Sequence, residues 1–220
     1  MTDTPFSESI QDYLRVIYKL ETDGGRATTS AIAGRMGVSA PSATGMLKKL
    51  ADLGLVDREP YRGVVLTDTG RRAAVEITRH HRLLEVYLAE NLGLGIDAVH
   101  AEADRLEHAL SEELEARIDE SLGHPTHDPH GDPIPDASLH VERSSLRTLA
   151  SLEPGEEATI RRVPDGDADL LRYLSSLDLL PGRRVEVDES APFGGPVTVS
   201  VQRGGRHAIS REIADLIGVT

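Results

Sequence analysis

No cysteine occurs among the 220 residues, so disulfides and thiolate ligands are excluded together, and any metal must be held by nitrogen and oxygen. Tryptophan is absent and aromatics make up 3% of the chain, which leaves Leu, Val, Ile and Ala to build the cores. No apolar run approaches the roughly 18 residues that a membrane-spanning helix needs. The opening "MTDTPFSES" is polar and lacks the apolar stretch of a signal peptide. These absences suit a cytoplasmic protein. Lysine is scarce too: Lys19, Lys48 and Lys49 are the only three, and every other basic side chain is arginine or histidine. Arginine bias with excess acid fits either a high-GC genome or a salt-adapted host.

What is present is unevenly spread. The net charge of −13 argues at first against a polyanionic partner. Residues 1–72, however, carry ten Lys or Arg against nine Asp or Glu, a balance of +1, while the remainder carries fourteen against twenty-eight. The acidity lies outside the first 72 residues, so a nucleic-acid contact there remains open.

That first stretch predicts a winged helix-turn-helix. "SIQDYLRVIYKLE" sets Ile10, Leu14, Ile17, Tyr18 and Leu20 in a helical stripe, and "GGRAT" breaks it. Two further helices flank "MGVS", with Ile32 and Met36 inward on one and Leu47, Leu50 and Leu53 inward on the other. Gly37 supplies the turn, Ser39 the N-cap and Pro41 the first turn of the second helix. "LVDREPYRGVVLTDTG" alternates around "PYRG" as a hairpin wing. In such a unit Ser39, Ala40, Pro41, Ser42 and Gly45 approach base edges, and Lys48, Lys49, Arg58 and Arg62 meet phosphates. A purely protein-binding winged helix is the alternative. Gly45 offers no side chain to read a base, so specificity there rests on DNA shape.

"TDTGRRAAVEITRHHRLLEVYLAENLGL" reads as a long helix capped near Asp68 or Thr69, with Ala74, Ile77, Leu84 and Leu88 as its apolar stripe. His81 and Glu85 share a face at i, i+4, and His80 points elsewhere, as a solvated side chain. The next helix carries "HAEADRLEH". At about 100° per residue, His100, Asp104, Glu107 and His108 fall within roughly a 100° arc. Converging imidazole and carboxylate groups build helical metal sites. An acidic, solvated helix face is the plain alternative, and the rest of the chain must decide between the two.

In order, "DYLRVIYKL", the helix-turn-helix, "RHHRLLEVYL", "VHAEADRLEH" and "DPHGDPIP" resemble the diphtheria-toxin-repressor family of metal-dependent transcriptional repressors, with its iron-dependent and manganese-transport regulators. The resemblance covers nearly the whole chain. It implies a mainly α fold with a small β part: a winged helix-turn-helix at 1–72, a helical metal-binding and dimerisation domain at 73–123, a proline-rich linker at 124–144 and an SH3-like β-barrel at 145–220. It implies two metal sites per subunit. The primary one comprises Asp12, Asp104, Glu107 and His108, and the ancillary one His81, Glu85 and His100. Iron-sensing members usually place methionine at the position of Asp12 and cysteine at that of Asp104. Two oxygens in place of two sulfurs favour Mn²⁺, with Fe²⁺ next and Zn²⁺ or Co²⁺ binding in vitro. Arg15 stands where some manganese regulators have a second N-terminal carboxylate, which argues against a dinuclear cluster of that type. The implied partner is double-stranded operator DNA, bound by a homodimer, with two dimers on one operator as an open arrangement.

"GHPTHDPHGDPIPDAS" reads as a proline-fixed loop with solvated His124, His127 and His130. Beyond about Ser145 come short alternating strands, "EEATIRRV", "RRVEVDE", "PVTVSVQ" and "RHAIS", with a helix at "DADLLRYLSSLDL" and a last one at "SREIADLIGV". These strands resemble the SH3-like domain that the family shares with ferrous-iron transport proteins. By that resemblance Asp165, Asp167 and Asp169 are the acids nearest the place that lends ancillary ligands.

Two rivals come from other classes. A metal-dependent enzyme lacks support, because no HExxH occurs and neither His81 nor His108 has a Glu three residues earlier. A structural or iron-delivery module is the second. A closer alternative is a winged-helix regulator of an organic ligand, disfavoured by the scarcity of aromatics. The chain is expected not to be an enzyme.

Overall fold

The computed structural model describes residues 6–59, 63–142, 145–202 and 204–220. Helices α1 (Glu8–Thr22), α2 (Thr29–Met36) and α3 (Ala40–Asp52) come first, followed by strands β1 (Val56–Glu59) and β2 (Gly63–Leu66). Then come α4 (Asp68–Leu92), α5 (Ile96–Leu106) and, after a 3-10 turn at Glu107–Ala109, α6 (Glu112–Ser121). The C-terminal part holds β3 (Arg147–Thr148), β4 (Glu157–Arg162), α7 (Ala168–Ser176), β5 (Arg184–Ser190), β6 (Val197–Val201), β7 (Arg206–Ile209), α8 (Arg211–Leu216) and β8 (Gly218–Val219). Two compact units result. One takes in the residues up to His81 with Asp104–Ser121 and Pro135–His140. The other takes in Arg82–Ala103, Leu122–Ile134 and Val141–Thr220.

In the first unit the expected α1 stripe of Ile10, Leu14, Ile17, Tyr18 and Leu20 is buried throughout. Thr28 caps α2 through Ala31 N, and Ser39 caps α3 through Ser42 N with Pro41 in the first turn. Gly37 sits at φ 64°, the left-handed conformation that closes α2 and turns the chain into α3. Ile32, Leu47 and Leu50 are buried, but Leu53 is 49% exposed. Leu53 is the C-cap of α3 and lies beyond its last turn, so the helical stripe ends at Leu50. Strands β1 and β2 pair antiparallel from Val56↔Leu66 to Glu59↔Gly63, as a hairpin requires. The "PYRG" tip and Arg62 lie outside the described residues. The cap of α4 is Thr67, whose hydroxyl accepts from Gly70 N at 3.1 Å, and not Asp68 or Thr69.

In the second unit the six strands order as β3-β8-β4-β5-β6-β7, every pair antiparallel. Val197, Val199 and Val201 of β6 alternate inward, and Val185 and Val187 of β5 face the same core. α7 adds Leu171 and Leu174, and α8 adds Ala214. The architecture is therefore mainly helical, with a small SH3-like antiparallel β part at the C-terminal end.

The loop before this sheet is not solvated as expected. His130 is fully buried, and Asp128, Asp132 and Ile134 are buried with it. Asp128 Oδ1 accepts from the backbone N–H groups of His130 and Asp132, which closes a tight turn. Gly131, at φ 90°, tops that turn, and a Cβ there would fall 1.7 Å from the Arg161 carbonyl. Val163 N donates to the His130 carbonyl at 2.9 Å, so the turn is stitched to the chain following β4. Proline content signalled a loop; the backbone bonds and the close Gly131 approach are what bury it.

Candidate metal centre

On α1 the stripe that buries Ile10 and Leu14 also draws Gln11 inward to 5% exposure and leaves Asp12 half-buried. Gln11 Nε2 donates to the Phe6 carbonyl at 2.9 Å, so its Oε1 is the atom 2.9 Å from His108 Nδ1. His108 thus donates from Nδ1 and presents Nε2 to Asp12 Oδ1 at 3.1 Å. A histidine oriented from behind keeps the front lone pair for a cation. Gln11 carries this role without having stood out in the sequence, since its neighbour Asp12 held the charge.

Glu107 is 2% exposed. Its Oε2 lies 2.6 Å from His81 Nδ1, and its Oε1 lies 3.3 Å from Arg15 Nε and 3.9 Å from His108 Nε2. Asp104 Oδ1 sits 2.5 Å from Arg15 Nη2 and 3.3 Å from His81 Nδ1. The helix carrying Asp104 stops at Leu106, so Glu107 and His108 ride on the 3-10 turn and not on a continuous α-helical arc. The tighter turn still delivers them: donor atoms of Asp12, Glu107 and His108 all lie within 4.8 Å of one another. Burial raises the Asp12 pKa. His108 and Arg15 pull it back, while the charges of Glu107 and Asp104 push it up further. Crowded carboxylates beside a pre-oriented imidazole are the donor set a hard divalent ion satisfies.

Of the three residues expected to form the ancillary site, His81 belongs to the first unit and meets Glu107, while Glu85 and His100 belong to the second. Glu85 is 1% exposed, and its Oε1 lies 2.9 Å from His100 Nδ1. Beside it sits a group that the solvated-loop reading missed. His130 Nε2 donates to the Ile96 carbonyl at 3.0 Å, and its buried Nδ1 has no hydrogen-bond partner, standing 3.7 Å from Glu85 Oε2. Glu85, Asp128 and His130 offer ligand atoms within 4.8 Å of one another. Burial alone would lower the His130 pKa, but Glu85, Asp128 and Asp165 outweigh it and hold it at about 9. Burial first, then the charges of Glu85 and Asp132, push Asp128 up to about 7, against the pull of Arg82 and His130. Each shift says the same thing: this cluster wants a cation. Of the three C-terminal acids, Asp165 bears on His130, Asp167 caps α7 through Asp169 N and Leu170 N, and Asp169 pairs with Arg172.

His80 is not solvated. It is 4% exposed with Nε2 2.6 Å from Glu115 Oε2, in a buried group where Arg79 reaches Glu115 at 2.6 Å, Asp119 at 2.9 Å and the Pro135 carbonyl at 2.7 Å. Both faces of α4 are covered in the first unit, so polarity there means pairing.

Ser39, Ala40, Pro41, Ser42, Gly45, Lys48 and Lys49 are all exposed along α3, and Arg58 is exposed on β1. Their alignment along one helix and the adjoining hairpin gives a surface with cations and no acid among these eight positions. Among the described residues no helix is long and apolar enough to cross a membrane.

Residues 5–64 match the iron-dependent repressor N-terminal DNA-binding domain, residues 67–136 the iron-dependent repressor metal-binding and dimerisation domain, and residues 147–220 the FeoA domain. The chain is 33% identical over 224 residues to the iron-dependent repressor IdeR of Mycobacterium tuberculosis, covering 96% of each. It is 35% identical over 191 residues to the diphtheria toxin repressor of Corynebacterium efficiens, covering 82% of this chain and 83% of that one. Among solved structures it is similar to a manganese-dependent transcriptional repressor in complex with manganese, with TM-score 0.89, 41% identity and coverage of 96% of this chain and 99% of the other. The manganese regulator SloR follows at TM-score 0.82 and 31% identity, covering 96% and 97%.

Proposed function

The chain belongs to the iron-dependent repressor family of metal-dependent transcriptional repressors, and from that membership we propose that manganese is its corepressor, with ferrous iron the second choice. The supporting observation is the donor set: Asp12, Glu107 and His108 provide two oxygens and one nitrogen, with no sulfur anywhere in the chain. Asp104, assigned to this site by resemblance, stands behind it, held by Arg15 and His81. A second site is formed by Glu85, Asp128 and His130, beside His100. The resemblance to manganese-dependent repressors of known structure favours the same metal.

A divalent ion supplies each cluster with the positive charge its carboxylates lack. The chain's own residues do the rest. Gln11 holds His108 so that Nε2 points at Asp12, and that joins α1 to the turn after α5. Asp12 lies on the first helix of the DNA-binding part, so this join fixes the posture of α3 against the helices that carry the remaining ligands. Without a cation, Asp12, Asp104 and Glu107 disfavour one another's charge, and looser arrangements gain weight. In a symmetric homodimer the posture of α3 sets the spacing of two recognition helices, which must match major grooves about one helical turn or a multiple apart. Ser39 to Gly45 then face base edges, and Lys48, Lys49 and Arg58 face phosphates. Two such dimers on one operator is the arrangement proposed for full repression.

The test is fluorescence-anisotropy titration of the chain's own upstream DNA with Mn²⁺, Fe²⁺, Zn²⁺ or chelator present. Retention with Mn²⁺ at the lowest free metal concentration, and release by chelator, is expected. Equal affinity in chelator would contradict the proposal.

A further inference from the structure

In the carboxylate cluster of the first unit, a cation is already built in. Arg15 lies one turn beyond Asp12 on α1, and its guanidinium contacts both Asp104, at 2.5 Å, and Glu107, at 3.3 Å. His81 Nδ1 closes the same pair from α4, 3.3 Å from Asp104 and 2.6 Å from Glu107. Two carboxylates and an imidazole around one positive group have the composition of a metal half-site, with arginine in the centre. On the other side of Glu107, Asp12 and His108 form the half that lacks such a group.

We propose that Arg15 is the resident cation of the His81–Asp104–Glu107 half, so that this cluster accepts a single divalent ion at Asp12, Glu107 and His108 and excludes a second. The inference rests on the metal-site reading above and adds its stoichiometry. Charge balance carries it. Asp12, Asp104 and Glu107 bring three negative charges and Arg15 returns one, which leaves a deficit that one divalent ion meets. Without Arg15, Glu107 could bridge two ions about 3.5–4 Å apart, as shared carboxylates do in two-metal sites. Guanidinium suits this role because it stays protonated at any accessible pH and its fixed fork spans two carboxylates, whereas an ammonium can lose its proton on burial. Arg15 is thereby a specificity-determining residue. It keeps Asp104 in reserve as its own partner and leaves Glu107 Oε1 between itself and His108.

The experiment uses the full chain, stripped of metal and dialysed against Mn²⁺, with bound manganese counted by elemental analysis and coupling read by low-temperature electron paramagnetic resonance. Wild type, Asp12→Ala, Arg15→Gln and Arg15→Glu are compared, so the contribution of the Glu85–Asp128–His130 site cancels between them. Arg15→Glu is expected to bind about one more ion per subunit than wild type, with the signal of an exchange-coupled pair that wild type lacks. An exchange-coupled pair in wild type, or a folded Arg15→Glu protein with unchanged stoichiometry, overturns the proposal. Should Arg15→Glu fail to fold, Arg15→Gln decides. With the fixed charge gone, its metal-free melting temperature falls and a weaker second manganese appears; no second manganese is again a refutation. Failure of the underlying metal-site reading has a different signature, namely that Asp12→Ala loses no manganese.

Discussion

The carboxylate of Glu107 and the imidazole of His81 meet at 2.6 Å, joining the 3-10 turn after α5 to the middle of α4. Glu107 is almost completely buried, and its other oxygen faces Arg15. Removing its charge strands Arg15 and His81 against each other, a loss that costs about 3–5 kcal/mol when one partner of a buried ionic group is deleted. Glu107→Gln is therefore expected to lower metal-free stability as well as metal affinity. Asp12 differs: its raised pKa means that its neighbours and its burial disfavour the charged form. Asp12→Ala is expected to leave the metal-free protein at least as stable at neutral pH while losing metal. Urea titrations of both variants in chelator check the contrast, and equal destabilisation would remove it.

Gly45 sits inside α3, and a Cβ added there meets nothing within 4 Å. A helix-interior glycine is about 1 kcal/mol worse than alanine. The free chain gains nothing from it, so the space serves close approach to a base edge. Gly45→Ala should raise the melting temperature and weaken operator binding together. A stabilised variant with undiminished operator affinity would show that the open position has no role at the groove.

Protonation of the Glu85–Asp128–His130 group predicts a pH signature. His130 has its folded pKa raised from 6.5 to about 9, so the stability it contributes is present in full below pH 6.5 and is lost as pH rises through about 9. Asp128, raised to about 7, adds a loss of the same sign beginning at lower pH. In chelator the melting temperature should fall across that alkaline window. With Mn²⁺ in place of the proton the fall should shrink. His130→Gln should flatten the metal-free slope, and a variant retaining the full slope would move its origin elsewhere.

These clusters show what the sequence made legible. Helical periodicity located α1, α3 and α4 and their buried faces, because a residue's partners along a helix lie at fixed offsets. The SH3-like strands were legible as alternation, and the acid and histidine donors as residue types. Three things had no periodic signature. His130 is buried by a turn that Gly131 and Asp128 close, His80 by the pairing of α6 with α4, and Gln11 carries no charge to draw notice. The distribution of donors was mispaired for a related reason. His81 was grouped with Glu85 by its offset on α4, yet its Nδ1 meets Glu107, a contact fixed by tertiary packing and by the end of α5 at Leu106.

Arg79 and Glu115 make a separate, purely structural prediction. Burial would raise the Glu115 pKa, but hydrogen bonds and charge from His80 and Arg79 overcome it and hold it below the usual carboxylate value. Its contribution is thus present above about pH 4.5 and lost as pH falls through the lowered value. Arg79→Leu leaves Glu115 and Asp119 buried without their shared cation and should cost about 3–5 kcal/mol at neutral pH. The deficit should narrow on acidification as the carboxylates protonate. Denaturant unfolding of both proteins at neutral and acid pH measures it, and a constant deficit would contradict the assignment.

Operator affinity as a function of free Mn²⁺, measured by fluorescence anisotropy for wild type and Asp12→Ala side by side, bears on whether the cation acts by joining α1 to the turn after α5. Wild type should tighten on the DNA as manganese is added, and Asp12→Ala, folded to the same helical content, should stay at the chelator baseline. Manganese activation of Asp12→Ala at the wild-type midpoint would mean that the junction at Asp12 and His108 does not control DNA binding.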